Sequence, residues 1–248
     1  MDAIELAGKV APPIVALGGA FMLDDATTAR GTELGLDLPS FYGLGRGSVL
    51  GEVDTDVVAA ALPFIPLEVV RAVVGAARSK MSAADAVQHY LGACRAWGQA
   101  HLGTVDELDR LAALLERVVA AGSVASNPLF AGWRAVPLPA DDLPGRVAQL
   151  LFLAREHRGG PHIVAILASG LTPLEAVVVS GGPDAAALYG WPAPYPDPES
   201  LRERHAAAIA LTNRLVADAY AGFDDVEAAD LLARVAGAQD AAGVAPRD

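Results

Sequence analysis

Apolar and polar residues alternate with a helical period along most of the chain. Apolar side chains, mainly Ala, Leu and Val, recur every three to four residues, and Gly or Pro interrupts the pattern at intervals. Strand-like runs are few, and the valines at 177–179 lie where the helical pattern continues. We expect helices near residues 2–10, 13–22, 25–34, 54–62, 67–79, 82–101, 104–121, 144–157, 162–169, 173–180, 198–220 and 224–236. The pattern therefore predicts an all-α protein.

Capping residues mark several of the predicted helix starts. Ser82 precedes one long run, and Thr104 with Glu107 has the spacing of a capping box before another. The Gly-Leu-Thr-Pro sequence at 170–173 separates two short predicted helices, which is the layout of a helix-turn-helix. The second of these helices, PLEAVVVS, contains one Glu and no Lys or Arg. The arrangement is that of a DNA-binding motif, but the side chains are not those that usually contact bases and phosphates.

Three stretches are predicted to be loops. Residues 38–53 are rich in glycine, residues 191–198 have proline at every second position, and residues 123–144 contain PLPADDLP. The last stretch divides the chain near its middle. We therefore predict two helical halves, each resembling a helix-turn-helix: 1–125, which contains the glycine-rich loop, and 126–248.

The charge balance bears on the choice of partner. The chain has 30 Asp and Glu against 18 Lys and Arg, a net charge of −12. Cations that neutralise phosphates supply most non-specific affinity for DNA, and the densest cationic region, 202–214, is interleaved with glutamates. We therefore expect that DNA is not a partner. A basic surface would have to be assembled from residues distant in sequence, of which the candidates are Arg30, Arg71, Arg78 and Lys80.

The cysteine content and the chain's first residues bear on its location. Cys94 is the single cysteine, so an intramolecular disulfide is excluded, and its helical context indicates a buried, inert thiol. The first five residues include two acids, Asp2 and Glu5, and no cation, so they do not resemble the start of a secretory signal. We find no run of about 18 apolar residues free of charges and prolines. We therefore expect a cytoplasmic protein without membrane contact.

The densest group of titratable residues is Arg155, Glu156, His157, Arg158 and His162. If one helix ends at His157 and the next begins at His162, the helix dipoles shift the two pKa values in opposite directions. Such a pair can supply an acid and a base near neutral pH. We take His162 as the candidate base and His157 or Glu156 as the candidate acid, with Arg155 and Arg158 binding the ligand. The alternative is structural, with histidines that cap helix ends and arginines that pair with neighbouring acids.

Metal or haem chemistry is a further alternative for the same histidines. His157 and His162 are five residues apart, whereas two ligands on one helical face are usually four apart. A zinc site would need additional ligands from elsewhere in the chain, such as His89, His101 or Asp24. A haem could use one histidine as an axial ligand, but the chain has no attachment motif. The cofactor is therefore left unknown, and no metal site is assigned.

The glycine-rich stretch GLGRGSVLG at 43–51 is a second candidate site. Its backbone amides could hold an anion, with Arg46 as a charged clamp and the Tyr42 hydroxyl beside it. It follows no predicted strand, and it matches neither a Walker loop nor a dinucleotide fingerprint. A tight loop between helices is the simpler interpretation. Three aromatic residues in predicted loops are candidates for an apolar cavity wall: Trp133, Trp191 and Tyr195.

The segments YGLGRGSVLGEV, FIPLEVVRAVV and Arg155–Gly182 together resemble a largely uncharacterised actinobacterial family of helix-turn-helix proteins. The family's motif is similar at Arg155, Glu156, His157, Arg158, Gly159 and His162, whereas Gly160 and Pro161 depart from it. The resemblance implies a scaffold derived from MarR-type winged-helix regulators. The segment that would correspond to the wing is missing after Trp191, and a histidine typical of the first helix is absent near Gly18.

These observations favour a small-molecule-binding all-α protein with a polar pocket of His, Arg and Glu. It is either a non-catalytic binder or an acid/base enzyme, such as an isomerase, cyclase or lyase of specialised metabolism. One alternative is a ligand-responsive transcriptional regulator of the winged-helix type. Another is a protein-interaction module whose terminal helices, 198–220 and 224–236, form a homodimer.

Overall fold

The fold was described from a computed structural model, which covers residues 1–245. All regular structure in this range is helical, which confirms the all-α prediction. The α-helices are α1 (Ala3–Ala20), α2 (Asp25–Glu33), α3 (Leu38–Gly47), α4 (Thr55–Ala61), α5 (Leu67–Arg78), α6 (Ala83–His101), α7 (Leu108–Ala121), α8 (Pro128–Arg134), α9 (Leu143–Ala168), α10 (Pro173–Leu188), α11 (Arg202–Val216) and α12 (Asp225–Ala241).

The central element is α9, which contacts α1, α6, α7, α8 and α11. Three consecutive residues of α9, Leu150, Leu151 and Phe152, are fully buried, so neighbouring helices cover every side of this turn. The main hydrophobic core runs from Leu6 to Ala238 and draws on residues of both predicted halves. The boundary near residue 125 stays a prediction.

Two helices continue through prolines that we took as breaks. Pro12 and Pro13 lie inside α1, and Pro161 lies inside α9, so the predicted pairs 2–10/13–22 and 144–157/162–169 are wrong. A proline inside a helix leaves the carbonyl four residues earlier without a partner. For Pro161 this is the carbonyl of His157, which accepts a hydrogen bond of 2.8 Å from Asn127 Nδ2. A tertiary contact thus replaces the lost helical one.

The predicted glycine-rich loop at 38–53 is mostly helix α3, capped at its start by Asp37. Its glycines allow close packing: a Cβ on Gly45 would lie 2.4 Å from the Tyr90 ring, and one on Gly47 would lie 2.5 Å from Val58. The glycines therefore serve helix contacts rather than chain reversal. The loop prediction is wrong because the contacts that require glycine come from residues distant in sequence.

Of the two predicted helix caps, one is confirmed and one is wrong. Ser82 caps α6 by accepting a hydrogen bond from the Asp85 backbone amide, as expected. The capping box at Thr104 is wrong, because α7 begins at Leu108 and Glu107 adopts a left-handed conformation with φ of 49°. Helix α8 occupies part of the predicted linker 123–144.

Two helix pairs have a helix-turn-helix arrangement. Helices α9 and α10 meet at 108°. Gly170, with φ of 71°, ends α9, and Thr172 with Glu175 forms a capping box that starts α10. Helices α4 and α5 pack on each other across the short connection 62–66. Helix α10 is kinked at Gly182 and buries its valines in small clusters separate from the main core.

The proline-rich stretch 191–198 is irregular, as expected, and includes a cis peptide bond before Pro194. Trp191 Nε1 donates to the Phe64 carbonyl at 2.9 Å, and the Tyr195 hydroxyl donates to the Trp191 carbonyl at 2.9 Å. This turn therefore fixes the connection between α4 and α5.

The segment Ala3–Glu33 is long and apolar enough to cross a membrane by length and composition, with a mean hydropathy of 1.5. Helices α9 and α10 pass the same test together as a bent pair. The N-terminal segment contains Glu5, Lys9, Pro12 and Pro13, so it is not a run free of charges and prolines, and the expectation that the chain has no such run is unchanged. In the structure, 61% of the N-terminal segment's apolar window is buried within the protein, as in the core helix of a globular fold.

The contact between Asn127 and α9 can be tested with a double-mutant cycle. Asn127→Ser keeps a short side-chain oxygen at the start of α8, but its hydroxyl is too short to reach the His157 carbonyl, so we expect a loss of about 2 kcal/mol in the free energy of unfolding. In the Pro161→Ala background the restored amide satisfies that carbonyl, and the same change should cost less than half as much. Urea unfolding of the four proteins measures both losses. Equal losses in the two backgrounds would contradict this role of Asn127.

Candidate functional site

A cavity of about 810 Å³ lies among α1, α3, α9, α10, α11 and the connection between α4 and α5. This volume is within the range of small-molecule sites. Most of its wall is apolar and comes from different helices; the larger side chains include Val15, Phe64, Ile65, Ile163, Val177 and Ile209. The polar residues of the wall come mainly from α3, α9 and α11.

The buried carboxylate of Glu156 organises the polar end. Arg46 donates to it from two nitrogens, Nε to Oε1 at 3.1 Å and Nη2 to Oε2 at 3.0 Å. Arg155 Nη1 donates to Oε1 at 2.7 Å. Arg46 Nη1 also donates to the Tyr42 hydroxyl at 2.6 Å. These contacts join α3 to α9 across 110 positions of sequence.

Burial makes this cluster strongly interdependent. The side chain of Glu156 is 1% exposed and that of Arg46 is 13% exposed. Burial alone would lower the pKa of Arg46, but the Glu156 carboxylate outweighs it and raises this pKa above its ordinary value. Removing one partner would leave a buried charge uncompensated, which is strongly destabilising.

Arg158 is also on the cavity wall but has no such partner. Among the described residues no carboxylate lies within salt-bridge distance of it, and its Nη1 is buried without a hydrogen-bond partner. Burial lowers the pKa of Arg158. An arginine remains protonated at neutral pH, so Arg158 places an uncompensated positive charge beside the cavity.

His162 faces the cavity with a defined tautomer. Its Nδ1 lies 3.2 Å from Thr212 Oγ1, and the Thr212 hydroxyl donates to the Ala208 carbonyl at 2.8 Å. Because that hydroxyl has one proton, His162 Nδ1 must be the donor, which leaves Nε2 as an acceptor. The ring also packs against Phe64, with centroids 5.7 Å apart.

His157 lies outside the cavity wall. Its ring packs edge-on against Phe130, and a Cβ on Gly122 would lie 2.8 Å from it. Five positions on a continuous helix turn the side chains of His157 and His162 about 140° apart. The predicted acid/base pair of histidines is therefore not assembled in the cavity.

The prediction that the two histidines have opposite pKa shifts is also wrong. Burial lowers the pKa of His157 to about 4, with contributions from Arg134 and Arg158. Burial lowers that of His162 to about 4 as well, with contributions from Arg158 and His205. Both residues lie inside α9 rather than at helix ends, so desolvation decides both shifts.

Six of the seven predicted site residues border the cavity, and His157 is the exception: the six are Tyr42, Arg46, Arg155, Glu156, Arg158 and His162. The sequence analysis missed His205 and Asn213 of α11. The Asn213 Oδ1 atom is buried without a partner in the described residues. No motif marks either residue; the only available signal was their place on one helix.

The remaining candidates lie elsewhere. Trp133 is buried and donates from Nε1 to the Arg46 carbonyl at 3.2 Å. Trp191 hydrogen-bonds to the Phe64 carbonyl, and Tyr195 hydrogen-bonds to the Trp191 carbonyl. His89 contacts Arg30, and His101 stacks on Trp97. No group of three His, Cys, Asp or Glu side chains suited to a metal ion occurs within residues 1–245.

The described residues thus define an all-α protein with two pairs of helices joined by short turns beside a partly enclosed cavity. The chain belongs to the helix-turn-helix family, whose model matches residues 9–195. No curated protein and no solved structure gives a significant match. Derivation from MarR-type regulators and the family-wide character of the histidine motif stay predictions.

Family membership corrects one expectation. From the net charge of −12 we expected that DNA is not a partner, and the helix-turn-helix family match contradicts this. Net charge averages over the whole surface, whereas a helix-turn-helix contacts DNA through one face. The overall acidity was therefore a poor guide to the partner.

The buried histidines predict how stability depends on pH. Since both folded pKa values, about 4, are below the ordinary 6.5, the unfolded chain binds protons more readily. The stabilisation is present above pH 6.5 and is lost as the pH falls to about 4, by on the order of 2–3 kcal/mol for each histidine. Urea unfolding at several pH values measures the loss.

His157→Gln is the matched variant for this measurement. It removes one of the histidines whose pKa burial lowers and leaves His162 and His205, so the loss of unfolding free energy between pH 6.5 and 4 should be smaller than in the parent protein by on the order of 2–3 kcal/mol. An unchanged slope in this variant would contradict the neutral, buried state of His157.

Proposed function

We propose that the protein is a ligand-responsive helix-turn-helix regulator, whose cavity binds a small organic molecule and whose helix pairs form the DNA-binding part. The observation that carries this proposal is the position of the cavity between both helix pairs. Its wall includes the connection between α4 and α5, a stretch of α9, and residues Ala176, Val177 and Ser180 of α10. A molecule in the cavity contacts both pairs at once.

Phe64 provides a direct route between the pairs. It belongs to the connection before α5, packs against His162 of α9, and accepts a hydrogen bond from Trp191, just beyond α10. Displacement of the Phe64 ring by a ligand would move both the start of α5 and the turn after α10, because Phe64 contacts both. A ligand that favours one arrangement over another thereby shifts the DNA-binding equilibrium.

Helix α10 is well suited to move. Its buried residues lie in two small clusters outside the main core, and Gly182 interrupts it with φ of 74°. Elements with few buried apolar contacts open at lower free energy than core helices. Occupation of the cavity next to Ala176 and Val177 adds contacts to this weakly held helix.

Helix α5 is the better candidate for the DNA-facing helix. Its exposed side carries Arg71, and Arg78 and Lys80 follow at its end, whereas α10 contains Glu175 and Asp184 and no cation. Arg71 is held by Asp56 at 2.6 Å and Glu68 at 2.8 Å. These exposed ion pairs are weak in water, so a phosphate can compete for the guanidinium.

DNA binding is tested first by selecting bound sequences from random duplexes. The affinity for the selected duplex is then measured by fluorescence anisotropy between about 50 and 200 mM salt, a range in which binding through phosphate contacts weakens strongly. We expect affinity to fall with salt. Arg71→Ala should weaken binding several-fold and reduce the slope of log affinity against log salt by about 1.

Arg202→Ala is the control, because Arg202 is also exposed to solvent, more so than Arg71, and likewise pairs with a glutamate three residues away, Glu199. It should leave DNA affinity unchanged. Absence of any DNA binding at the lowest salt would overturn the regulator proposal. Equal losses in the two variants would overturn the assignment of α5.

A further inference from the structure

We propose that the cavity recognises an amphipathic organic anion, whose charged group lies at Arg158 and whose apolar body lies against the opposite wall. This inference rests on the ligand-binding part of the proposed function and specifies the chemical class of the ligand. Four observations carry it: the local charge, the unpaired arginine, the unused hydrogen-bond acceptors, and the apolar wall.

The local charge is opposite in sign to that of the whole protein. The charged residues on the cavity wall are Arg46, Arg155, Arg158 and Glu156, which give three positive charges and one negative. The chain as a whole carries a net charge of −12. Electrostatics inside a partly enclosed cavity are less screened than at the surface, so this net charge of +2 favours an anion.

Within that set, Arg158 is the group that lacks a counter-ion. Arg46 and Arg155 share Glu156, and their geometry is already fixed by it. The Arg158 side chain has no acid partner among residues 1–245, and its Nη1 is an unsatisfied buried donor. Burying an unpaired cation is costly, and an anionic ligand would remove that cost by forming charge-assisted hydrogen bonds.

The acceptors indicate a second feature of the ligand. His162 Nε2 is left as an acceptor by the hydrogen bond at Nδ1, and Asn213 Oδ1 is buried without a donor in the described part of the chain. Both residues border the cavity. A hydroxyl or amide N–H near the charged group would satisfy one of them, as in a hydroxy acid or an acylated amino acid.

The rest of the wall defines the apolar body. It includes Pro63, Phe64 and Ile65 of the connection between α4 and α5, Val177 of α10 and Ile209 of α11. The volume of about 810 Å³ exceeds what a free phosphate or acetate requires. A small inorganic anion therefore leaves most of the cavity unfilled, whereas an aliphatic or aromatic acid fills it.

Isothermal titration with matched pairs of probes tests the inference. We would use decanoate with decanamide and 1-naphthoate with 1-naphthamide, since each pair keeps the same apolar body and replaces the anionic carboxylate with a neutral amide. In at least one pair we expect the acid to bind ten-fold or more tightly than its amide. Arg158→Gln should weaken binding of the acid ten-fold or more and leave binding of the amide unchanged.

Arg202→Gln is the control for a general loss of positive charge and should not change either affinity. Urea unfolding supplies a readout that does not depend on ligand: removing an unpaired buried cation should leave Arg158→Gln at least as stable as the parent protein. A marked loss of stability would show that Arg158 has a structural partner, and would overturn its role as the ligand's counter-ion.

Different failures have different meanings. Equal affinity for acids and amides, unaffected by Arg158→Gln, would overturn the anion while keeping a ligand-binding cavity. Absence of binding by all four probes would overturn both the anion and the cavity's ligand-binding role. The DNA measurement decides separately whether the chain is a regulator.

Discussion

The Glu156 carboxylate and its two arginines form the interaction on which the rest of the site depends. A buried carboxylate is costly unless it is paired and hydrogen-bonded, and here Arg46 and Arg155 supply three donors to it. Arg46 comes from α3, and its carbonyl accepts the indole proton of Trp133 in α8. One ion cluster therefore fixes three helices around the cavity, and it occupies two cations that would otherwise be free to bind a ligand.

The all-α class and most of the residues that border the cavity could be predicted from the sequence, but the first and last residues of several helices could not. Apolar periodicity predicts most helices, and short-range capping at Ser82 and Thr172 identifies where α6 and α10 begin. Pro161 and the glycines of α3 led to wrong predictions of a helix break and a loop. The contacts that allow a helix at these positions are with Asn127, Tyr90 and Val58, which are distant in sequence. Helix propensity describes the local preference of a residue. It carries no information about a residue distant in sequence that replaces a lost hydrogen bond or requires a small side chain.

The same limitation explains which site residues were found. The cluster from Arg155 to His162 is dense enough to attract notice, and Arg46 stands out within a glycine-rich run. His157 was wrongly grouped with His162 because an assumed break in α9 hid the angle between them. Asn213 and His205 could not be found, since their importance comes from the packing of α11 beside α1 and α9. Charge was informative for the cavity only when counted locally.

The division of the cavity wall between helices has a consequence for how relatives of this chain can diverge. The polar end is built from α3 and α9, where Gly45, Gly47 and Gly160 meet neighbouring atoms so closely that a side chain would collide. Part of the apolar wall comes from α10, whose buried residues lie in small clusters apart from the main core. Substitutions there reshape the volume at low cost to folding. Under the proposed function, selection can thus alter the shape of the apolar wall while the charged polar end is retained with the fold.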